Sequence, residues 1–350
     1  MHEKMEYNKL YSRYYLEMYN KYKNKKYNTR SDRINSCLDL WVWDKYELNK
    51  LLDLHKVNRC NNNRFCPNCK TLDSARFIHY IRPQIEKNIS NGYVPFLLTL
   101  TVPNVTGDKL SSCLSKISYS FRKFYEKFSS DIPKYMFRKR LCKIYGALRT
   151  LEITYNSISD TYHPHIHCLI FLKDKDFNDN DLKKVVKGHY SYKNNQCNYH
   201  SFFELQLMKV WSMIYNKISV SEKNYNNHSD NPNDSSNLII DLRELDERGI
   251  YEVVKYSVKD TDLYNQKVFE TLVIALENRR IRQSYGNLLD FDEDNFQVGD
   301  FQELDLLVEE NPEQLLVRDI SNLYTHYKDY VKISRFQPNI DIAEISNKLN

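Results

Sequence analysis

The chain has 350 residues, enough for one large domain or two smaller ones. No apolar run approaches the roughly 20 residues that a membrane-spanning helix needs, and residues 1–7 do not begin an apolar segment like that of a signal peptide. These features exclude a long apolar membrane helix and predict a cytoplasmic protein without contact to a membrane. In that reducing compartment, the eight cysteines are expected to be free thiols or metal ligands rather than disulfides.

Charge is distributed unevenly along the chain. The formal net charge is +5, but residues 290–350 hold 14 acidic residues against 5 Lys and Arg, so residues 1–289 carry +14. A basic body in a chain with 28 tyrosines suits a polyanion whose bases stack on aromatic rings. AT-rich coding DNA also enriches Tyr, Asn, Lys and Ile, so the tyrosine count alone carries little weight.

The N-terminal part is predicted to form two elements. Residues 1 to about 30 are rich in Tyr, Lys and Asn and predict a polar helix or a loose arm. The apolar positions between 36 and 54 predict a turn that enters a helix.

A cluster of cysteines follows. Cys66 and Cys69 form a Cys-Pro-x-Cys knuckle, whose spacing lets both thiolates reach one tetrahedral metal ion. Cys60 is a third candidate ligand, and His55 or Cys37 is the fourth. The pattern favours structural Zn²⁺, and ordinary reduced cysteines at a turn are the alternative.

The next elements alternate between helix and strand. Ser74 is the predicted N-cap of a helix that ends before Gly92. The almost continuously apolar stretch 94–102 predicts a strand in the middle of a sheet. Residues 110–128 have helical spacing, and that helix is expected to cover the sheet.

Two histidines stand at strand spacing. Residues 147–155 and the stretch around His165 and His167 predict a hairpin with its turn at 156–161. Alternate residues on a strand share a face, so the two imidazoles can bind one divalent cation. The alternative is a polar strand end with solvated histidines. His163 has the same parity but precedes Pro164, so it is predicted to support the ligands or to face the substrate rather than to be a ligand.

A second candidate set lies on a predicted helix. Glu252, Tyr256 and Lys259 fall at i, i+4 and i+7 and therefore share one face. The tyrosine could act as a nucleophile, the carboxylate could move a proton and the lysine could hold a phosphate. An amphipathic helix with a half-buried tyrosine is the alternative.

A further predicted helix, residues 263–282, ends in a concentrated group of cations. Phosphate-backbone contacts with DNA are predicted for Arg279, Arg280 and Arg282. A solvated basic face is the alternative. No Gly-rich phosphate loop is visible in the sequence, which argues against an NTP-driven helicase activity.

Taken together, these stretches resemble the rolling-circle plasmid replication initiators of the HUH endonuclease superfamily. The family pattern is an apolar strand, a His-hydrophobic-His strand and a helix with the nicking tyrosine. Here these are Phe96-Leu97-Leu98-Thr99-Leu100-Thr101, His165-Ile166-His167 and Tyr256, in family order. The branch with a glutamate four residues before a single tyrosine matches best, since Glu252 stands there.

The resemblance implies a site and a reaction. Glu152 would complete the metal site with the two histidines, and the metal would be Mg²⁺ or Mn²⁺. Tyr256 would cut origin DNA through a 5′-phosphotyrosine intermediate, and Glu252 would assist hydrolysis at termination. The implied partners are single-stranded and duplex plasmid origin DNA, a host helicase and DNA polymerase of a bacterial cell, and a second copy of the chain in a homodimer.

The predicted fold class is α+β, with a central antiparallel sheet and helices on one face, of the HUH or ferredoxin-like type. The predicted organisation is a helical and Cys-rich segment at 1–92, a nickase domain at 93–289 and an acidic region at 290–350. Within enzymes, the alternative is a single-tyrosine HUH transposase or relaxase. Outside enzymes, it is a zinc-containing DNA-binding regulator that does not cut.

Overall fold

The computed structural model describes residues 2–37, 41–46, 51–130, 143–173, 179–191, 196–245, Val253 and 260–288. These residues fall into two compact units, one up to Tyr80 and one from Ile81 onward. None of the described helices is both long enough and apolar enough to cross a membrane. The acidic region predicted at 290–350 lies outside the described residues.

The first unit opens with two helices, α1 (His2–Tyr22) and α2 (Lys25–Asn35), which pack on each other. Tyr15 of α1 is fully buried and stacks on Tyr27 of α2 with ring centroids 6.4 Å apart. Of the two alternatives for the N-terminal residues, the helix is therefore confirmed.

A β-hairpin follows, and it corrects the helix predicted at 36–54. Strand β1 (Trp41–Tyr46) pairs antiparallel with β2 (Leu51–Val57). Strand β1 begins Trp-Val-Trp, and aromatic and β-branched residues favour a pleated surface. The leucines of β2 are good helix formers, and pairing with β1 overrides that preference.

Helix α3 (Pro67–Ser90) begins at Pro67 rather than at the predicted Ser74. Proline suits the first helical position because its fixed φ fits the helix and its missing N–H would have had no partner there. The helix ends where expected, since Gly92 adopts a φ of +78° that other residues rarely reach.

The second unit is built on a five-stranded antiparallel sheet. Its strands along the chain are β3 (Tyr93–Thr101), β4 (Gly146–Asn156), β5 (Thr161–Lys173), β8 (Ile240–Glu244) and β9 (Arg282–Gly286). Their order across the sheet is β8-β3-β5-β4-β9. The predicted interior position of β3 and the predicted β4–β5 hairpin are thereby confirmed.

Helices cover one face of this sheet. In α4 (Gly107–Ser129), the ring of Phe121 lies 5.5 Å from that of Tyr285 in β9 and 5.9 Å from the guanidinium of Arg149 in β4. Helix α6 (Phe202–Tyr215) packs on α4. Since neighbouring residues of a strand point to opposite faces, the side of β4 away from Arg149 is the side without these helices.

Smaller elements complete the described chain. They are α5 (Asp179–Leu182), the hairpin of β6 (Val186–Ser191) and β7 (Gln196–His200), α7 (Glu222–Asn227) and a 3-10 turn at Asp260–Tyr264. The predicted helix at 263–282 is wrong in length, because helix α8 runs only from Gln266 to Ala275. Asn265 caps its start, and Asn278 adopts a left-handed φ of 54° after its end, which lets the chain turn into β9.

The α+β class with an antiparallel sheet and helices is confirmed. The finer assignment to the HUH or ferredoxin-like type stays a prediction.

Candidate metal centres

The central strands bring one carboxylate and two imidazoles together. Glu152 of β4 lies directly opposite His165 of β5 in the ladder, and His167 is two residues further along the same face. The Oε2 atom of Glu152 is 2.8 Å from His165 Nε2 and 2.7 Å from His167 Nε2. The predicted trio is therefore a compact group of potential ligands.

The Nδ1 atom of each imidazole also has a hydrogen-bond partner. His165 Nδ1 lies 3.2 Å from the carbonyl of His163, which can only accept, so this contact favours the tautomer with its proton on Nδ1. His167 Nδ1 lies 3.2 Å from the hydroxyl of Thr99 on β3. His163 thus contributes its backbone to the site. Such outer hydrogen bonds orient metal-binding histidines and select their tautomer.

The tautomer of His165 has an electrostatic consequence. With its proton on Nδ1, the neutral ring presents a bare Nε2 lone pair to the Glu152 carboxylate, and two acceptors repel each other. Either a second proton on the ring or a cation between the two groups removes this conflict. Two imidazoles and one carboxylate leave coordination positions open, as catalytic metal sites require.

The site is mostly buried. The side chains of Glu152 and His167 are 5% and 9% exposed, and that of His165 is 12% exposed. Burial by itself raises the pKa of the Glu152 carboxyl, but its close contacts with the imidazoles of His165 and His167 outweigh burial and hold that pKa well below its usual range. The carboxylate is therefore ionised and able to bind a cation.

Next to this group, the sheet holds a residue of the segment that carries the predicted nucleophile. Thr150 lies opposite His167 and donates a hydrogen bond from its buried hydroxyl to the carbonyl of Val253, at 2.5 Å. Val253 is buried, with 3% of its surface exposed. Three predicted site residues of this segment lie outside the described residues: Glu252, Tyr256 and Lys259.

The first unit holds the second group of potential ligands, in which Cys37 joins Cys60, Cys66 and Cys69. All four are free thiols with 5% or less of their surface exposed. The sulfur distances are 3.7 Å for Cys37–Cys69, 3.5 Å for Cys60–Cys69 and 3.6 Å for Cys37–Cys66. Tetrahedral zinc with Zn–S bonds of about 2.3 Å separates its sulfurs by about 3.8 Å. Of the two candidates for the fourth position, Cys37 lies in the group, whereas the side chain of His55 is outside what the structure describes.

Polar groups beside the sulfurs also fit bound thiolates. The backbone N–H of Asn62 lies 3.4 Å from Cys60 Sγ. The buried side chain of Asn8 places Oδ1 3.3 Å from Cys66 Sγ, and its Nδ2 atom has no hydrogen-bond partner among the described residues. Turning this amide by 180° makes it a donor to a Cys66 thiolate and satisfies the orphaned group.

Residues 51–332 match a family model described as Replication protein. The chain belongs to the Replication protein family. The resemblance to rolling-circle plasmid replication initiators is thereby confirmed, and this member is a plasmid replication initiator.

Several curated relatives are similar to this replication protein. Protein rep of Bacillus amyloliquefaciens is 26% identical over 301 residues, which cover 83% of this chain and 80% of the relative. Protein rep of Staphylococcus aureus is 27% identical over 216 residues, which cover 60% of this chain and 73% of the relative. Protein rep of Streptococcus pneumoniae serotype 2 is 30% identical over 152 residues, covering 43% of each chain. No solved structure matches the chain.

The three arginines of the replication protein that were predicted to contact DNA do not form one exposed patch. Arg279 donates hydrogen bonds from its guanidinium to the backbone and hydroxyl oxygens of Ser111 in α4, at 2.8 and 3.0 Å. Arg280 is exposed, whereas Arg282 is 6% exposed and lies in β9. The cause is the shorter helix, because the chain leaves it before all three residues. Their contact with DNA stays a prediction.

Three residues around the two groups had no role predicted from the sequence: Asn8, Thr99 and Thr150. The apolar strand motif includes Thr99, and its parity with neighbouring residues could have placed it on one face. Nothing local distinguishes Asn8 or Thr150, since their partners are 58 and 103 positions away along the chain.

Proposed function

We propose that this plasmid replication initiator acts by cutting one strand of origin DNA and becoming covalently attached to it. The observation that carries the proposal is the joint placement of Glu152, His165 and His167 on one sheet face, with Val253 held at the neighbouring Thr150. Val253 is three residues before Tyr256, and three residues span at most about 11 Å. This limit supports a position for the candidate nucleophile near the proposed metal ligands.

In the cutting step, the hydroxyl oxygen of Tyr256 attacks the phosphorus of the scissile phosphodiester and loses its proton. The bond from phosphorus to the 3′ oxygen breaks, and that oxygen takes up a proton. The products are a 5′-phosphotyrosine link and a free 3′-hydroxyl that primes synthesis. Lys259 would hold a phosphate oxygen by charge and so keep the strand in line with the nucleophile.

Glu152, His165 and His167 would hold a divalent cation, for which Mg²⁺ and Mn²⁺ are the candidates. A cation bound there supplies a positive charge that polarises the scissile phosphate. The imidazoles serve as ligands in the neutral form with the proton on Nδ1, which the carbonyl of His163 favours for His165.

Termination calls for a second transfer when Tyr256 is already bound to DNA. In place of a second tyrosine, water would attack the phosphorus of the regenerated origin phosphodiester, and its proton would pass to Glu252. The bond from phosphorus to the 3′ oxygen would break, and that oxygen would take up a proton. On the predicted helix, a carboxylate four residues before the tyrosine is one turn away from it.

Replacing Glu252 by Gln should therefore impair termination and leave initiation nearly unchanged. Cutting and attachment by Tyr256 should proceed at near-normal rates, while the terminating hydrolysis by water should slow by about 100-fold or more, the range of general-base catalysis. Replicating plasmid should then run past one unit length, which gel analysis of replication products measures. Equal impairment of initiation and termination would contradict the general-base role, because a helix-steadying contact affects every step slightly.

We also propose that Cys37, Cys60, Cys66 and Cys69 hold one structural Zn²⁺. The sulfur distances and the donor to Cys60 support a closed tetrahedral set. Four thiolates leave no coordination position for substrate, so the role is to join the end of α2 to the start of α3.

Protein purified without added zinc should contain one zinc per chain by elemental analysis. Replacing Cys37 by Ser should remove most of it and lower the midpoint of thermal unfolding, because metal binding and folding are coupled. Cys113→Ser offers a matched control, since Cys113 is a buried free thiol outside the group. Zinc retained in full by the Cys37 variant would reject Cys37 as a ligand.

The covalent adduct itself tests the proposed function. Purified protein is mixed with Mn²⁺ and a labelled single-stranded oligonucleotide that contains the nicking sequence of its own origin, then separated under denaturing conditions. We expect label that migrates with the protein and a shortened product with a 3′-hydroxyl. Specific binding without any adduct or cut product would favour the DNA-binding regulator.

The family match favours replication initiation over the transposase or relaxase alternative, which shares the chemistry but not the biology. A host helicase and a DNA polymerase would extend the free 3′-hydroxyl. They belong to the proposal as partners, together with a second copy of the chain in a homodimer.

A further inference from the structure

We propose that Thr150 is the positioning residue that sets the nucleophile's segment against the metal ligands. This inference rests on the proposed function. The Thr150 hydroxyl donates a 2.5 Å hydrogen bond to the carbonyl of Val253. The two residues are separated by 103 positions, so the bond joins the sheet to a distant part of the chain.

The place of Thr150 in the sheet gives this bond its importance. Thr150 pairs directly with His167 on one side and with Arg282 on the other. It also precedes Glu152 by two residues, so its side chain is on the same face as the carboxylate. A shift of β4 or of the segment at Val253 would therefore change the distance between the nucleophile and the metal ligands.

The two threonines that pair with His167 on the neighbouring strands have different hydrogen-bond partners. Thr99 on β3 meets the imidazole Nδ1 atom at 3.2 Å and orients the ligand. Thr150 on β4 directs its hydroxyl to the backbone of Val253 instead. Both threonines lie on interior strands of the sheet. The same sheet therefore positions both the His167 imidazole and the segment at Val253.

The hydrogen bond from the Thr150 hydroxyl also fixes the direction of the Val253 carbonyl. Thr150 is completely buried, and Val253 is 3% exposed, so water does not readily replace either partner. A buried carbonyl that loses its donor suffers a desolvation cost, which favours the bonded arrangement over displaced ones. The carbonyl of Val253 is thereby held toward the sheet.

The Thr150→Val variant keeps the shape of the side chain and removes only the donor. We expect the rate of adduct formation at saturating oligonucleotide to fall between about 10-fold and about 100-fold, the range of effects caused by misplaced reacting groups. Mn²⁺ affinity and DNA affinity should stay within about twofold, because no ligand and no exposed charge is changed. Thr150→Ser keeps the hydroxyl and should retain most of the rate.

Two further measurements separate positioning from general loss of structure. Hydrogen exchange of the peptide that contains residues 251–259 should become faster in Thr150→Val and stay near normal in Thr150→Ser. The control is Thr271→Val, which removes a hydroxyl bonded to the carbonyl of Lys267 at 2.8 Å in α8. This control should leave adduct formation and exchange at 251–259 unchanged.

An unchanged rate in Thr150→Val would overturn the inference, and so would a parallel loss of Mn²⁺ binding. Failure of the proposed function has a different signature. In that case the unaltered protein forms no adduct, although Thr150→Val can still show faster exchange at 251–259.

Discussion

Replacing Tyr256 by Phe should abolish covalent attachment to DNA. The substitution keeps the aromatic ring and removes the oxygen that would bond to phosphorus, so no phosphotyrosine can form. DNA affinity should be retained, since it depends mainly on basic side chains. The denaturing adduct assay measures the first effect, and an anisotropy titration with the same oligonucleotide measures the second.

Tyr251 provides the matched control, because it lies in the same segment and also follows a glutamate by four residues, Glu247. Tyr256 is the assigned nucleophile because Glu252 lies one turn before it and Lys259 nearly one turn after it on the predicted helix. Gly249 stands between Glu247 and Tyr251 and disfavours a helix there. The Tyr251→Phe variant should form the adduct at a near-normal rate. If Tyr251→Phe loses the adduct and Tyr256→Phe keeps it, the assignment is wrong.

Replacing both His165 and His167 by Ala should reduce cutting by at least about 1000-fold, because the polarising charge of a bound metal ion contributes several kcal/mol to such reactions. One Mn²⁺ site per chain should disappear in a calorimetric titration, while the zinc content of the four cysteines stays the same. Duplex DNA affinity should be largely spared, since neither imidazole belongs to the exposed basic surface.

His228 supplies the control for this pair. It is a histidine of the second unit whose Nε2 atom bonds the side chain of Asn237 at 2.9 Å, outside the metal-ligand group. His228→Ala should keep both Mn²⁺ binding and cutting. Near-normal nicking by the double variant of His165 and His167 would remove the metal from the proposed reaction.

Elements with strong local patterns were predictable from the sequence. The continuous apolar run that forms β3 and the helical spacing of α4 each specify one structure by themselves. The pairing of Glu152 with His165 followed from the family resemblance together with a short hairpin, whose register the turn fixes. Elements with weak or mixed patterns were not predictable. The leucines of β2 fit a helix equally well, and only pairing with β1 decides between the two.

The sequence by itself determined the alternation that places His165 and His167 on one face, and the spacing that joins Cys66 to Cys69, because both follow from local backbone geometry. Only the tertiary structure decided that Cys37 lies with the other three cysteines and that Thr150 holds Val253. Those contacts join residues that are far apart along the chain. Their positions depend on how whole helices and strands pack, and no local pattern of residues encodes that packing.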